Sequence, residues 1–228
     1  MNSRPELRLD WCDFKAAEYA CTHWHYSRRV PAGKLMKVGA WEGGRYIGCV
    51  LYGRGANNNA GKSYGLQATE LCELVRIALT AHQTPVSRIV AVATRFLRAA
   101  NPGLRLVFSY ADPEQGHHGG VYQGGNWIYS GLSGGRAKPV INGKEMHMRS
   151  VSARYGTAEM SRLRGMGLSA EKSPVRWKHK YLLPLDDAMR EQITPLSKPY
   201  PKRAKQATPS SPEGSGGATP TRTLHEAL

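Results

Sequence analysis

The pattern that most constrains the fold lies between residues 69 and 111, where strand, helix and strand periodicities follow one another. From Thr69 to Thr80, Leu71, Glu73, Val75, Ile77 and Leu79 recur at every second position, which predicts a strand with one core face and Arg76 on the other, polar face. Thr84-Pro85-Val86-Ser87 then reads as a helix start. Ile89, Val92, Ala93, Phe96, Leu97 and Ala100 recur at helical spacing until Asn101-Pro102-Gly103 stops the run, giving an amphipathic helix of about four turns. Leu104 to Ala111 follows as a short apolar strand. Such a crossover places its two strands side by side and parallel. Upstream, Lys34 to Gly53 reads as a hairpin around Glu42-Gly43-Gly44-Arg45. The expected fold is therefore α+β, a mixed and mostly antiparallel sheet with a central parallel strand pair forming a cleft, flanked by helices. The loop from Thr80 to Ser87 is expected to turn backbone N–H groups and a positive helix end toward an anion such as a pyrophosphate.

Size and charge bound what this fold serves. The 228 residues are 40 % hydrophobic, enough for one sizeable core with a small satellite. We expect a catalytic domain over residues 1–195. The stretch 196–228, rich in Pro, Ser, Thr and Gly, is expected to be a disordered tail. No window holds the roughly 20 unbroken apolar residues of a membrane span, and Met1 to Glu6 lacks a secretory apolar segment, so a cytoplasmic protein without a membrane partner is expected. Cys12, Cys21, Cys49 and Cys72 form no CxxC pair and are read as reduced. The formal charge of +15, from 32 Lys and Arg against 17 Asp and Glu, calls for a polyanionic partner. Between residues 136 and 180 there are eleven Lys and Arg against three Glu. This segment, with Arg136, Lys138, Lys144, Arg149, Arg154, Arg162 and Arg164, is the candidate DNA-contacting surface.

The order of elements resembles the acetyltransferase fold of the GNAT superfamily. Glu70 to Ile77 is similar to the strand before its pyrophosphate loop, and His117 to Trp127 to the segment where a Tyr faces the departing thiol. The Gly-rich pyrophosphate loop of that superfamily is not visible in Ala81 to Pro85. A closer resemblance is to the Mom proteins of Mu-like phages. It runs through His25-Tyr26-Ser27, Glu73-Leu74-Val75-Arg76, Phe108-Ser109-Tyr110-Ala111-Asp112 and Gly119-Gly120-Val121-Tyr122-Gln123, and covers about residues 15 to 185. The resemblance implies a phage enzyme that converts adenine N6 in DNA to an N6-carbamoylmethyl group, shields the DNA from host restriction, and is associated with acetyl-CoA and iron.

That chemistry suggests roles. Adenine N6 is a poor nucleophile, and the product joins N6 to a methylene carbon, so a base beside a thioester does not suffice and a redox-capable metal is a natural addition. His25 and Asp112 are the candidate metal ligands, with His117 and His118 behind them; a hydrogen-bonded imidazole is the plain alternative for each His. Tyr26 would stack on an extruded base or pack against Trp24. Arg76 would meet a phosphate, or else a carboxylate of Glu73 or Asp112. Ser109 and Tyr122 would bind CoA, with Tyr122 as general acid toward sulfur, or else cap loop backbone. His25, Tyr26, Asp112 and Tyr122 are thus the catalytic candidates, and Arg76, Ser109 and Tyr122 the cofactor-binding ones. The partner expected is double-stranded DNA with a flipped adenine, held in a pocket lined by Tyr26 and by Trp24 or Trp127. Two other readings stand beside this one: a conventional acetyl-CoA-dependent N-acetyltransferase, and a non-catalytic DNA-binding module. The sequence leaves monomer and dimer open.

Overall fold

The computed structural model describes residues 5–54, 59–133, 135 and 137–203. Ten strands are described: β1 (Leu7–Trp11), β2 (Leu35–Glu42), β3 (Arg45–Gly53), β4 (Leu71–Leu79), β5 (Leu106–Ala111), β6 (Ile128–Leu132), β7 (Pro139–Ile141), β8 (Lys144–Glu145), β9 (Ala170–Lys172) and β10 (His179–Pro184). The helices are α1 (Phe14–Trp24), α2 (Val86–Ala100), α3 (Gly120–Gln123), α4 (Met148–Tyr155), α5 (Met160–Gly165) and α6 (Asp187–Ile193). Seven strands form one sheet in the order β1-β2-β3-β4-β5-β10-β6. Every neighbouring pair in it is antiparallel except β4 and β5. The hairpin, the crossover and the parallel pair all lie where the periodicity places them.

Helices cover both faces. The apolar stripe of α2, with Ile89, Val90, Ala93 and Leu97 buried, packs with Val38, Val50, Tyr52, Cys72 and Leu74. On the other face α1 buries Ala17, Ala20 and Cys21 against Cys49, Leu51 and Ala78, while Met189 and Ile193 of α6 meet Leu71, Leu106 and Phe108. Asp13 starts α1 by accepting the Ala16 N–H at 2.7 Å, a side-chain cap on an otherwise orphaned donor.

One detail of β4 departs from simple alternation. Tyr52 pairs with Leu74 and Leu51 with Arg76, so Val75 is an extra residue, a β-bulge. The bulge exchanges the faces. Cys72 and Leu74 point to the α2 core before it, whereas Ile77 and Leu79 do so after it, and Val75 packs on the α1 side. The odd-numbered residues therefore do not share one core face, as period two predicts.

The basic segment folds as a satellite between β6 and β10. Strands in the order β8-β7-β9 and helices α4 and α5 enclose a separate core of Ile141, Val151, Leu163 and Ala170. The chain beyond residue 195 does not leave the domain at once, which corrects the expected tail boundary. The Lys198 N–H donates to Tyr129 O at 2.8 Å, and the Tyr200 hydroxyl donates to Trp127 O at 2.7 Å. Of the expected tail, residues 204–228 lie outside the described residues. Among the described residues no helix is long and apolar enough to cross a membrane.

Candidate active site

β4 and β5 pair only through Leu71–Leu106, Cys72–Val107 and Glu73–Phe108, then part. At the fork, the Ser109 hydroxyl donates to Leu74 O at 2.7 Å, replacing with a side chain the ladder bond that separation removes. Beyond it opens a cavity of about 560 Å³, within the range of small-molecule sites. His25, Tyr26, Arg76, Ser109, Asp112 and Tyr122, all singled out by sequence, line this one cavity, as do Glu73, His117, His118 and Lys178.

Arg76 follows the bulge. Its guanidinium donates from Nη1 to Val75 O at 2.9 Å, while Nε is buried and makes no hydrogen bond within the protein. Among the described residues it pairs with neither Glu73 nor Asp112; Asp112 instead meets Lys178 Nζ at 3.2 Å. A buried cation with an open donor is costly unless an anion or carbonyl from outside completes it. Glu73 adds a carboxyl that burial pushes above its ordinary pKa, against the pull of Lys178, Arg76 and Lys180. Sequence alone suggests for Glu73 a place in the family motif and a role as counter-ion to Arg76; the structure adds its position in the cavity wall.

Proton counting fixes how Ser109 and Tyr122 share hydrogen bonds. A serine hydroxyl carries one proton, and that of Ser109 goes to Leu74 O. The 2.7 Å contact between Ser109 Oγ and the Tyr122 hydroxyl therefore requires Tyr122 to donate. Burial raises the Tyr122 pKa to about 12. In this arrangement Tyr122 presents acceptor lone pairs to the cavity, and its proton is turned away from the position a general acid would need. The wall behind it depends on Gly119, whose φ is +83° and where a Cβ would collide with the Tyr181 ring. Tyr181 in turn donates to His118 O at 2.6 Å, and Gln123 Nε2 to the same carbonyl at 3.0 Å.

His25 and Asp112 share the cavity without forming a metal-ligand set. His25 Nδ1 is engaged by its own turn, 2.8 Å from Ser27 Oγ and 3.1 Å from the Ser27 amide nitrogen. Burial first, then Arg76 and His117, lower the His25 pKa to about 4. Asp112 is similarly engaged: Oδ1 caps a 3-10 turn by accepting the Glu114 N–H at 3.1 Å, and Oδ2 meets Lys178. Among the described residues no three His, Cys, Asp or Glu come together as a metal site. As placed, these residues do not fit an iron centre.

The loop before α2 is likewise engaged. Glu42, at the hairpin turn and only 7 % exposed, accepts the Gln83 N–H at 2.8 Å and the Thr84 N–H at 2.7 Å. An internal carboxylate thus fills two of the amides expected to hold a pyrophosphate, and the remaining cap residue, Pro85, has no N–H. The Thr84 side chain first, and then these backbone N–H groups, hold the Glu42 pKa below the usual carboxylate value against the opposing effect of burial. Glu42→Ala is expected to destabilise the domain by about 1–3 kcal/mol through the orphaned amides. The wild-type advantage should be full above the ordinary carboxylate pKa and fade as pH falls through the lowered one, a trend that thermal melts of both proteins between pH 3 and 7 will read.

The satellite presents its charge unevenly. Lys138 is tied to Glu145 at 2.6 Å and Arg162 to Glu159 at 2.9 Å, and Arg164 Nε donates to Ala170 O. Arg154 lies over the Tyr155 ring, whereas Lys144 and Arg149 are exposed without an ion pair among the described residues. Arg136 lies outside the described residues. Tyr26 is 52 % exposed at the cavity, its ring 4.2 Å from that of His25 and 5.6 Å from that of His117. Neither Trp24 nor Trp127 lines the cavity, contrary to expectation. Trp24 packs in the α1 core, and Trp127 is 2 % exposed, its ring 5.0 Å from that of Tyr122.

The sequence profile of the Mom protein family matches residues 6–202. This chain belongs to the Mom protein family. The matched span takes in the basic satellite and the cavity-lining residues of this Mom-family chain from His25 to Lys178. The methylcarbamoylase mom of Escherichia phage Mu is 28 % identical over 130 residues, 55 % of this chain and 54 % of that protein. The match thus spans about half the length of that curated relative. A solved structure from Acinetobacter baylyi ADP1, assigned as an acetyltransferase, overlaps 88 % of this chain and all of its own, at 13 % identity and a TM-score of 0.45.

Proposed function

We propose that this Mom-family chain is a DNA-modifying enzyme that converts adenine N6 to N6-carbamoylmethyladenine, acting on a base turned out of the duplex into the fork cavity. The observation that carries this reading is the convergence of Arg76, Ser109, Tyr122, His25 and Tyr26 on one cavity beside a basic satellite. The phage Mu relative, named a methylcarbamoylase, supports it. Protection of phage DNA from host restriction is the biological role that follows. Acetyl-CoA as the two-carbon donor, and iron, are carried over from the family resemblance; Glu42 keeps the Gln83 and Thr84 amides from a donor's diphosphate.

The chain's own residues have definable tasks. Arg76 offers Nε to an anionic or carbonyl oxygen of the incoming two-carbon unit. Tyr122, held by Ser109, accepts an N–H, which suits the exocyclic amine of adenine. Tyr26 provides a face on which an extruded purine stacks, beside a neutral His25.

Mass spectrometry of nucleosides from plasmid DNA of cells expressing the protein tests the reaction. A deoxyadenosine heavier by a carbamoylmethyl group is expected; an acetyl adduct, or no adduct, overturns the reading. The satellite's part is tested by salt titration of DNA binding. Substituting Lys144, Arg149 and Arg154 together by Ala should make the slope of log K against log salt less negative by about 2 to 3, at roughly 0.9 per phosphate contact.

A further inference from the structure

Extruding a base leaves a gap in the duplex, and the structure offers a side chain to fill it. Ser173 to Lys178 links β9 of the satellite to β10 beside the cavity. Its alternate residues face different partners. Arg176 Nε meets Glu114 at 2.7 Å, its Nη1 meets Glu145 at 2.8 Å, and Lys178 Nζ meets Asp112 at 3.2 Å. The pairs with Glu114 and Asp112 pin the segment to the loop that carries His117, while the pair with Glu145 holds it to β8. Val175 and Trp177, the intervening residues, are 50 % and 47 % exposed. The backbone of Gly135 lies between them, with no space there for a side chain. Trp177 is adjacent in the chain to Lys178, which lines the cavity, so its Cα is about 3.8 Å from that of a cavity residue. The same loop holds His117 against Tyr26, the aromatic face proposed for the extruded base.

Trp11, Phe14, Tyr19 and Tyr200 are exposed to a similar degree, but Trp177 alone among these rings lies on the segment that ion pairs tie to the cavity loop. Its position beside cations, next to a cavity sized for a small molecule, matches a side chain that stacks between bases. Met148 and Met166 are also exposed, but both lie on the satellite's helical part and have no tie to the cavity loop.

We propose that Trp177 is the wedge that enters the base stack and occupies the space vacated by the adenine. The proposal rests on the base-extrusion reading and identifies how the duplex is opened. Trp177 holds the strand apart, the ion pairs of Arg176 and Lys178 fix the distance from wedge to cavity, and Tyr26 receives the base. A denatured substrate needs no wedge, which separates this role from one in chemistry or folding.

Trp177→Ala and Trp177→Phe are compared with wild type for adduct formed on a linearised plasmid and on the same DNA after heat denaturation and rapid cooling. Trp177→Ala is expected to lose roughly tenfold or more on the duplex while staying within about twofold on denatured DNA, and Trp177→Phe to recover most of the duplex activity. Equal loss on both forms, or no loss on the duplex, overturns the proposal. A second readout needs no adduct: plasmid relaxed by a topoisomerase with wild-type protein bound should show a linking-number change that Trp177→Ala does not produce. If wild type makes no adduct on either DNA, the adenine reading fails while the linking-number comparison still decides the wedge. An identical linking-number change with both proteins overturns it.

Discussion

Arg76→Ala is expected to reduce the adenine adduct by about 100-fold or more, with plasmid binding kept within about twofold. The guanidinium is held at the bulge of β4 by its bond to Val75 O, and its buried Nε has no internal acceptor. Its interaction energy is thus available for whatever enters the cavity. Preorganised donors of this kind lose about 10²–10³ in rate on removal. Because Arg76 forms no ion pair with Glu73 or Asp112 among the described residues, the substitution strands no buried carboxylate partner. Arg76→Lys should restore little, since a lysine ammonium reproduces neither the Nε position nor the planar fork. A quantitative nucleoside assay beside a filter-binding assay reads both quantities. Loss of binding in parallel with loss of adduct would place Arg76 in DNA docking instead.

Tyr122→Phe carries the second large effect, a fall of about 100-fold in adduct with little change in melting temperature. Ser109 keeps its bond to Leu74 O in that variant, so no buried group is newly orphaned. What disappears is the oxygen that faces the cavity as an acceptor. Ser109→Ala separates orientation from presence: the phenol stays but its proton is released from Ser109, and a fall of less than about tenfold is expected. If Ser109→Ala and Tyr122→Phe were equally severe, the hydrogen-bonded pair would act as a structural strut and the acceptor role would be lost.

The crossover and the hairpin are written in local sequence, because apolar spacing at periods of two and 3.6 reports one buried face. Ile89, Ala93 and Leu97 fall on the face that α2 buries, and the stop at Asn101-Pro102-Gly103 coincides with the helix end. The convergence of His25, Arg76, Asp112 and Tyr122 was legible only through the family motifs, since the residues come from separated segments. The bulge at Val75 was not legible. It depends on how β3 registers against β4, and a one-residue insertion leaves the composition of a strand unchanged.

Long-range polar contacts were hidden for the same reason. No local pattern announces that Glu42 reaches residues 83 and 84, though a lone Glu at the end of an apolar strand was a usable signal. His25 illustrates the limit of residue type: a histidine suits iron in principle, but its Nδ1 is taken up by Ser27 and no third ligand joins it and Asp112 among the described residues. Trp177 sits in a segment whose sequence signal is dominated by charge, and the exposure of Val175 and Trp177 between Arg176 and Lys178 emerges only from the structure.

The central claim is that the fork between β4 and β5 receives the adenine, whereas the satellite holds the backbone. Hydrogen–deuterium exchange of the purified protein with an oligonucleotide carrying N6-carbamoylmethyladenine tests both halves at once. The account predicts slowed exchange in residues 73–76, 109–112 and 117–122 as well as in 138–172, with the first three unaffected by an unmodified oligonucleotide lacking adenine. Protection confined to 138–172 with both oligonucleotides would contradict it.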